Sequence, residues 1–436
     1  MSNPPLRLGI AGLGTVGVAL VKLLEQHRPL LAGRCGREIT VTAVNARNRD
    51  RDRGIAISDF IWFDTAEELA ASPDIDVFVE LIGGEDGAAL DASRAAIANG
   101  KHVVTANKAM LAKHGVELAA LAEEEGVLLN FEAAVAGGIP VIKTMRESLT
   151  ANRVGRVYGI LNGTCNYMLT RMEREGISYE DCLADAQALG YAEADPTFDV
   201  EGFDTAHKIA ILASLAFGTR IASDEVYVEG ISSITTADIK AAASLGYRIK
   251  LLGVAVKTES GVEQRVHPTM VPVESEIAQI SGVTNAVAID ADIVGTLVMS
   301  GPGAGGDATA SAVAGDIADI AKCLPGEQKV PALGRPATEL EPYKRARMRS
   351  HEGGYFVRMT VKDMAGVFAK VATAMADQKI SLESIVQHAD DTAPETNKTI
   401  ILITHETTEA AARKALEAIG NDDFLVSPPQ MIRIEK

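Results

Sequence analysis

Through the first third of the chain, short apolar runs bounded by glycine or polar turns alternate with stretches whose apolar residues recur at helical spacing. Residues 7–11 (RLGIA) read as a strand, the turn GLGTVG follows at 12–17, and the amphipathic helix VGVALVKLLEQH runs on from it. Further strands are expected at 39–44 (ITVTAV), 75–81 (IDVFVEL), 101–106 (KHVVTA) and 127–133 (VLLNFEA), with helices ASRAAIAN and LAKHGVELAALAEEEG between the later ones. Alternation of this kind predicts an α/β fold with a parallel, doubly wound sheet, which holds its ligands at the carboxyl ends of the strands.

The pattern changes after residue 132. EAAVAGGIPVIKTM is a small-residue loop feeding a helix, and GRVYGILNGTCNYMLTRM reads as strand, polar turn and helix. Between 227 and 298 β-branched residues dominate, which predicts a mixed or antiparallel sheet. Four prolines and the basic run KRARMR within 324–350 mark a linker. Beyond it, strands and helices follow in the order βαββαβ, the ferredoxin-like arrangement. The expected organisation is a Rossmann-type domain at 1–135, completed by a helix around 304–324. A central α+β domain at 136–303 would bind substrate and dimerise, followed by a linker at 325–350 and a small domain at 351–436.

Composition narrows the class. Subtracting 59 acidic from 42 basic residues leaves a net charge of −17, which disfavours nucleic acid or an anionic membrane as the main partner. The longest apolar run, 209–218, is too short to span a bilayer, and the N-terminus lacks a signal-peptide pattern, so a cytoplasmic protein is expected. The four cysteines form no C-x-x-C pair and no two histidines have helix-face metal spacing; reduced thiols and no zinc site are expected.

Candidate chemistry gathers at the strand ends. Gly12, Leu13, Gly14, Thr15, Val16 and Gly17, placed between a strand and a helix, form a dinucleotide fingerprint whose glycines allow backbone amides to approach a pyrophosphate; a structural turn is the plainer alternative. After the second strand the chain reads Asn45-Ala46-Arg47-Asn48-Arg49, without the carboxylate that would hold the ribose of NAD. Arg47 and Arg49 are therefore candidate contacts to the 2′-phosphate of NADP, although Arg51 and Arg53 continue the run as in a solvated basic loop. Thr105 and Lys108 stand where another strand has just ended, facing the same cleft. Gly306 closes a second glycine loop ahead of a helix and could fold over nicotinamide or substrate, or simply make a turn.

The segment 189–212, LGYAEADPTFDVEGFDTAHKIAIL, holds five carboxylates and then Lys208 at the head of an apolar helix. Asp204 and Lys208 are four apart and share a helix face. Such pairs are commonly surface ion pairs, but the apolar run that follows carries this one toward a core, where a desolvated lysine can serve as acid or base. Asn162, Gly163 and Thr164 lie at a strand-to-helix turn suited either to orienting a small polar substrate or to capping the helix.

These residues resemble a known family. GLGTVG, GKHVVTANKAMLA, FEAAVAGGIPVI, GILNGTCNYML, the segment 189–212, SGPGAGGDATASAV and DMAGVFAKVATAMADQKISLESIVQ together resemble the homoserine dehydrogenases, in the longer monofunctional bacterial form with a C-terminal ACT domain. The resemblance implies interconversion of L-homoserine and L-aspartate 4-semialdehyde with NADP(H), NAD(H) being possible. It implies that Lys208 transfers the proton, that Lys108 lies beside nicotinamide and substrate, that Glu193 holds the substrate ammonium, and that Asp199 and Asp204 are neighbouring polar ligands. It further implies a monovalent cation, sodium or potassium, at Glu132, Val135, Gly137 and Ile139, and a homodimer or homotetramer. The ACT resemblance implies an effector site for L-threonine at Asp363, Ala365, Gly366 and Val367. One departure is Asp307-Ala308, where the family usually has a proline before Thr-Ala-Ser, which bears on loop geometry.

Two rivals set the terms for the structure. An aspartate-semialdehyde dehydrogenase would need an activated cysteine, for which Cys165 is the candidate. An amino-acid sensor would bind the dinucleotide without turnover, but this chain keeps both Lys108 and Lys208.

Overall fold

The computed structural model describes residues 4–323, 330–346, 352–388, 397–420 and 422–435, and builds them around two sheets. The first contains β1 (Leu6–Ala11), β2 (Ile39–Asn45), β3 (Ile61–Phe63), β4 (Val77–Glu80), β5 (His102–Thr105) and β6 (Leu129–Asn130), all parallel, in the order β3-β2-β1-β4-β5-β6. Chain direction across the sheet reverses between β1 and β4, which places the ligand crevice at the carboxyl ends of those two strands. Helices cover both faces, and β4 is buried along its whole length, so its sequence is an unbroken apolar run up to Glu80. The helix Thr15–Gln26 packs on one face beside Gly306–Lys322, which returns from far along the chain to share that core through Ala310, Val313 and Ile317.

The second sheet adds β7 (Val154–Ile160), β8 (Tyr227–Val228), β9 (Tyr247–Thr258), β10 (Gly261–Pro272), β11 (Thr284–Ala291) and β12 (Gly295–Pro302), mostly antiparallel. The C-terminal unit supplies β13 (Glu352–Lys362), β14 (Leu382–His388), β15 (Asn397–Thr404), β16 (Thr407–Thr408) and β17 (Gln430–Ile434), with helices Val367–Asp377 and Glu409–Gly420. Its strands run β17-β13-β15-β14, the ferredoxin-like order, and β17 also pairs with β10, so the two units share one sheet. The seam is polar inside: Arg433 of β17 reaches Glu229 at 2.7 Å and Glu409 at 2.7 Å, and Arg265 of β10 reaches Glu409 at 3.1 Å.

Of the expected linker, 330–346 lies along the central unit with Ala332, Leu333, Ala337 and Leu340 buried, and makes single bridges at Thr219 to Glu341 and Val262 to Arg345. Residues 324–329 and 347–351, and most of the hairpin expected at 390–397, lie outside the described residues. Among the described residues no helix is long and apolar enough to cross a membrane.

The helix Phe203–Phe217 is the hub. Eleven of its 15 residues are buried, as expected of a helix apolar nearly all round, and it packs on β7, β9 and β10 and against the helix Lys108–Glu124. The first sheet's strand-end loops and the second sheet's helix starts meet at its N-terminus.

Candidate active site

Gly202, at φ +88°, starts the hub helix, and a side chain there would meet Val266 at 2.8 Å, so the helix seats hard against β10. One turn in, Lys208 Nζ donates to Asp204 Oδ2 at 2.7 Å and to the Leu161 carbonyl at the end of β7 at 2.7 Å. An ammonium has three hydrogens, which leaves one for a substrate oxygen. Lys108, the first residue of its helix, places Nζ 3.2 Å from Asp204 Oδ1. One carboxylate thus stands between two lysines drawn from two domains. Burial alone would raise the Asp204 pKa, but the charges of Lys208 and Lys108 and the hydrogen bonds from Lys208 and Asn162 overcome it and hold the group well below the usual carboxylate range.

Asn162 serves both readings the sequence left open. Its Oδ1 accepts from Cys165 N at 2.8 Å and caps the helix Gly163–Glu175, while Nδ2 donates to Asp199 Oδ1 at 2.8 Å and to Asp204 Oδ2 at 2.9 Å. Burial, with the neighbouring Asp204 charge, pushes Asp199 up. Thr164 donates to the Tyr191 carbonyl at 2.7 Å and ties down the loop that carries Glu193, and Gly163 packs against the Val283 carbonyl. Glu193 itself is exposed on that loop; its side chain makes no hydrogen bond or ion pair among the described residues and is not drawn into the lysine cluster. Cys165 is fully buried, its thiol donates to the Asp199 carbonyl at 3.2 Å, and burial pushes its pKa well up, so it is no nucleophile.

The glycine turn is shaped as the fingerprint requires. Gly12, at φ +97°, lies where a side chain would strike the Leu81 carbonyl at 2.3 Å, and one at Gly17 would strike the Gly12 carbonyl at 2.1 Å. Gly14 faces open space at the helix N-terminus, with no side chain capping the amides of the first turn. A cleft of about 650 Å³ opens there, lined by Leu13, Gly14, Thr15, Lys22, Arg53 and Gly306 among others. Arg51 and Arg53, rather than Arg47 and Arg49, stand on its wall. Arg53 Nε bonds the Leu13 carbonyl at 3.2 Å, whereas Arg49 lies over the Trp62 ring at 5.8 Å and Arg47 is exposed. Val16 is the second residue of the helix that begins at Thr15. Asp307 lines the cleft in the first turn of its helix, where a carboxylate is favoured by the dipole. The Thr105 hydroxyl is turned inward onto Glu80 at 2.5 Å, so it builds the cleft wall.

At the expected cation turn the Glu132 oxygens accept from Ile142 N and Lys143 N, both at 2.8 Å, and its amide donates to Asp316 at 2.8 Å. Burial raises Glu132, and burial with Glu132 beside it pushes Asp316 up to about 8. Gly138 N bonds Pro302 O at 3.0 Å and Ile139 N bonds Ala136 O at 3.1 Å. Ile139 O accepts from Val141 N at 2.8 Å, and Gly137 has φ +56°. Among the described residues no amide is paired with the Val135 or Gly137 carbonyl, and these two, beside the Glu132 carboxylate, could serve a small cation as ligands, whereas the Ile139 carbonyl is already taken. In the C-terminal unit, Asp363, Ala365 and Gly366 form an exposed turn ahead of buried Val367, with Asp363 3.9 Å from Lys398.

Three contributors were not anticipated. Glu80 ends an apolar strand, a weak signal in hindsight; the Leu161 carbonyl has no sequence signature. His207 sits edge-on to Phe198 at 5.5 Å, its pKa lowered by burial and by Lys108.

Fold and site together define a protein in which a dinucleotide-binding domain serves an adjoining, lysine-bearing polar site, the arrangement of a dehydrogenase. Family models agree part by part: "Homoserine dehydrogenase, NAD binding domain" matches residues 12–132, "Homoserine dehydrogenase" 140–318 and "ACT domain" 355–421. A homoserine dehydrogenase of Pseudomonas aeruginosa is 46% identical, over 99% of both chains. The crystal structure of a homoserine dehydrogenase from Thiobacillus denitrificans superposes with a TM-score of 0.94 at 41% identity, covering 100% of both chains. A hyperthermophilic archaeal homoserine dehydrogenase in complex with NADPH matches at TM-score 0.62 and 27% identity, over 72% of this chain and 96% of that one. The chain belongs to the homoserine dehydrogenase family, with an ACT domain at its C-terminus, and is an oxidoreductase.

Proposed function

We propose that the protein interconverts L-homoserine and L-aspartate 4-semialdehyde with NADP(H), in threonine, methionine and isoleucine biosynthesis. The observation that carries this reading is the Asp204 carboxylate held between Lys208 at 2.7 Å and Lys108 at 3.2 Å. A bound nicotinamide supplies hydride transfer. In reduction, Lys208 Nζ gives its remaining proton to the carbonyl oxygen as negative charge develops there; in oxidation it takes that proton back. Asp204 steadies the ammonium in either direction, and the Leu161 carbonyl fixes its aim. Lys108, partly exposed at the cleft, adds a positive charge beside the reacting oxygen. Asp199 and Glu193 are acceptors for the α-ammonium, Glu193 closing from its exposed loop.

The basic wall at Lys22, Arg51 and Arg53 supports NADP over NAD, as does the archaeal relative bound to NADPH. Arg47 and Arg49 remain second candidates on the same loop. The turn at Glu132, Val135, Gly137 and Ile139 fits sodium or potassium, which would hold the hub-side loop to β12 through Pro302. L-Threonine is the proposed effector, at Asp363, Ala365, Gly366 and Val367. A cytoplasmic homodimer or homotetramer is the proposed setting. The buried, unactivated Cys165 argues against thioester chemistry.

The test is reduction of L-aspartate 4-semialdehyde with NADPH or NADH in potassium or sodium buffer. One homoserine formed per NADPH oxidised supports the reading; no oxidation with either coenzyme contradicts it. Millimolar L-threonine changing neither rate nor thermal midpoint contradicts the effector proposal alone.

A further inference from the structure

Glu80 ends β4, the strand beside the switch point, and its side chain is completely buried. Its partners are two backbone amides and a hydroxyl: Oε1 accepts from Ile82 N at 2.7 Å and Gly83 N at 2.9 Å, and Oε2 from Thr105 Oγ1 at 2.5 Å. No lysine or arginine among the described residues pairs with it. A buried carboxylate without a cation is costly, and an apolar residue would fill the strand end more cheaply. What the carboxylate does that an apolar residue cannot is bind the ends of β4 and β5 to each other.

The link runs on toward the chemistry. Thr105 Oγ1 accepts from Asn107 N at 3.0 Å. Asn107 donates through Nδ2 to the Gly84 carbonyl at 2.7 Å and caps the helix Lys108–Glu124 by accepting from Met110 N at 3.1 Å. Lys108 is the next residue, and its ammonium meets Asp204 at 3.2 Å. Leu81, one residue after Glu80, lies against Gly12 of the glycine turn. One carboxylate therefore anchors the loop after β4, the loop after β5 and the helix start that aims Lys108.

We propose that Glu80 is a positioning residue of the reaction, which sets the place of the Lys108 ammonium relative to Asp204 through Thr105 and Asn107. This rests on the reading of Lys108 as a group beside the reacting oxygen. A displacement of about 1 Å at such a group can cost roughly a hundredfold in rate.

Glu80→Gln keeps an oxygen for the two amides but removes the charge and turns a donor toward Thr105, whose hydroxyl must then accept from it beside the Asn107 amide and swing its own hydrogen away, so the Thr105 arm is weakened while volume is conserved. The test measures kcat, KM for homoserine, the pH profile and the thermal midpoint of the full chain, for Glu80→Gln, Lys108→Ala and the double variant. Expected is a fall in kcat of about tenfold or more in Glu80→Gln with the protein folded, and no further fall when it is added to Lys108→Ala, since both act through one group. Thr105→Val provides the same test if Glu80→Gln fails to fold. A kcat within about twofold of wild type, or losses that multiply in the double variant, overturns the proposal. An unchanged kcat in Lys108→Ala alone instead overturns the reading of Lys108 on which it rests.

Discussion

Asn162 holds Asp204 by a 2.9 Å hydrogen bond that comes from the same side chain that caps the helix Gly163–Glu175. The substrate turn and the catalytic helix are thus fixed to each other by one amide. Asn162→Ala should lower the thermal midpoint by the loss of a cap, about 1 kcal/mol, and lower kcat/KM for homoserine by roughly tenfold or more, the worth of a hydrogen bond to a charged group. Differential scanning fluorimetry and initial rates check the two effects separately.

Gly230 approaches the active-site segment from below. A β-carbon there would lie 2.5 Å from both Glu201 Cα and the Val200 carbonyl, and Ile231 N already bonds that carbonyl at 2.9 Å. Gly230→Ala should displace the short helix that carries Asp199, at a stability cost of about 1–3 kcal/mol. KM for homoserine should rise while dinucleotide affinity, read from NADPH fluorescence, stays unchanged.

The coenzyme wall makes a separate prediction. Arg53→Ser should weaken NADPH binding by roughly tenfold to a hundredfold, the value of one or two charge-assisted hydrogen bonds, and leave NADH nearly unaffected. Equal losses for both coenzymes would assign Arg53 to loop structure, through its bonds to Leu13 and Asn48.

The seam between the ACT domain and the central domain should respond to acid. Burial opposes the charge on Glu409, yet Arg433, with Arg413 and Arg265, brings its pKa down to about 2. The folded value lies below the unfolded one of about 4.3, so the stability that the ionised group contributes is complete above about pH 5 and is lost as pH falls toward 2. Glu409→Gln should destabilise the protein by about 1–3 kcal/mol at neutral pH, because it removes charge-assisted hydrogen bonds from Arg433 and Arg265 while leaving them Glu229 and Glu263 as partners, and should flatten the acid limb of a pH titration of thermal midpoint.

The strand-helix alternation, the glycine turn and the i, i+4 pair Asp204 and Lys208 were legible in the sequence, because each rests on local spacing. The family resemblance implied that Lys108 and Asp204 each face the substrate, but not that they meet, since nothing local links positions so far apart. Other features had no local trace: the pairing of β17 with β10 that joins the ACT domain to the central sheet, and the Leu161 carbonyl beneath Lys208. Arg53 was passed over for Arg47 and Arg49 because sequence order does not show which way a basic loop folds back. Here the loop returns, and Arg53 meets the glycine turn at Leu13. Glu80 was hidden for a similar reason: a charged residue closing an apolar strand looks like a strand end until its buried partners are seen.

The most direct test is the initial rate of NADP reduction by L-homoserine at alkaline pH, for wild type and Lys208→Ala side by side, with NADPH binding measured for both. The lysine geometry predicts a fall of at least roughly a hundredfold, the range of a general acid or base, with coenzyme binding intact. A variant within a few-fold of wild type would contradict the assignment of proton transfer to Lys208.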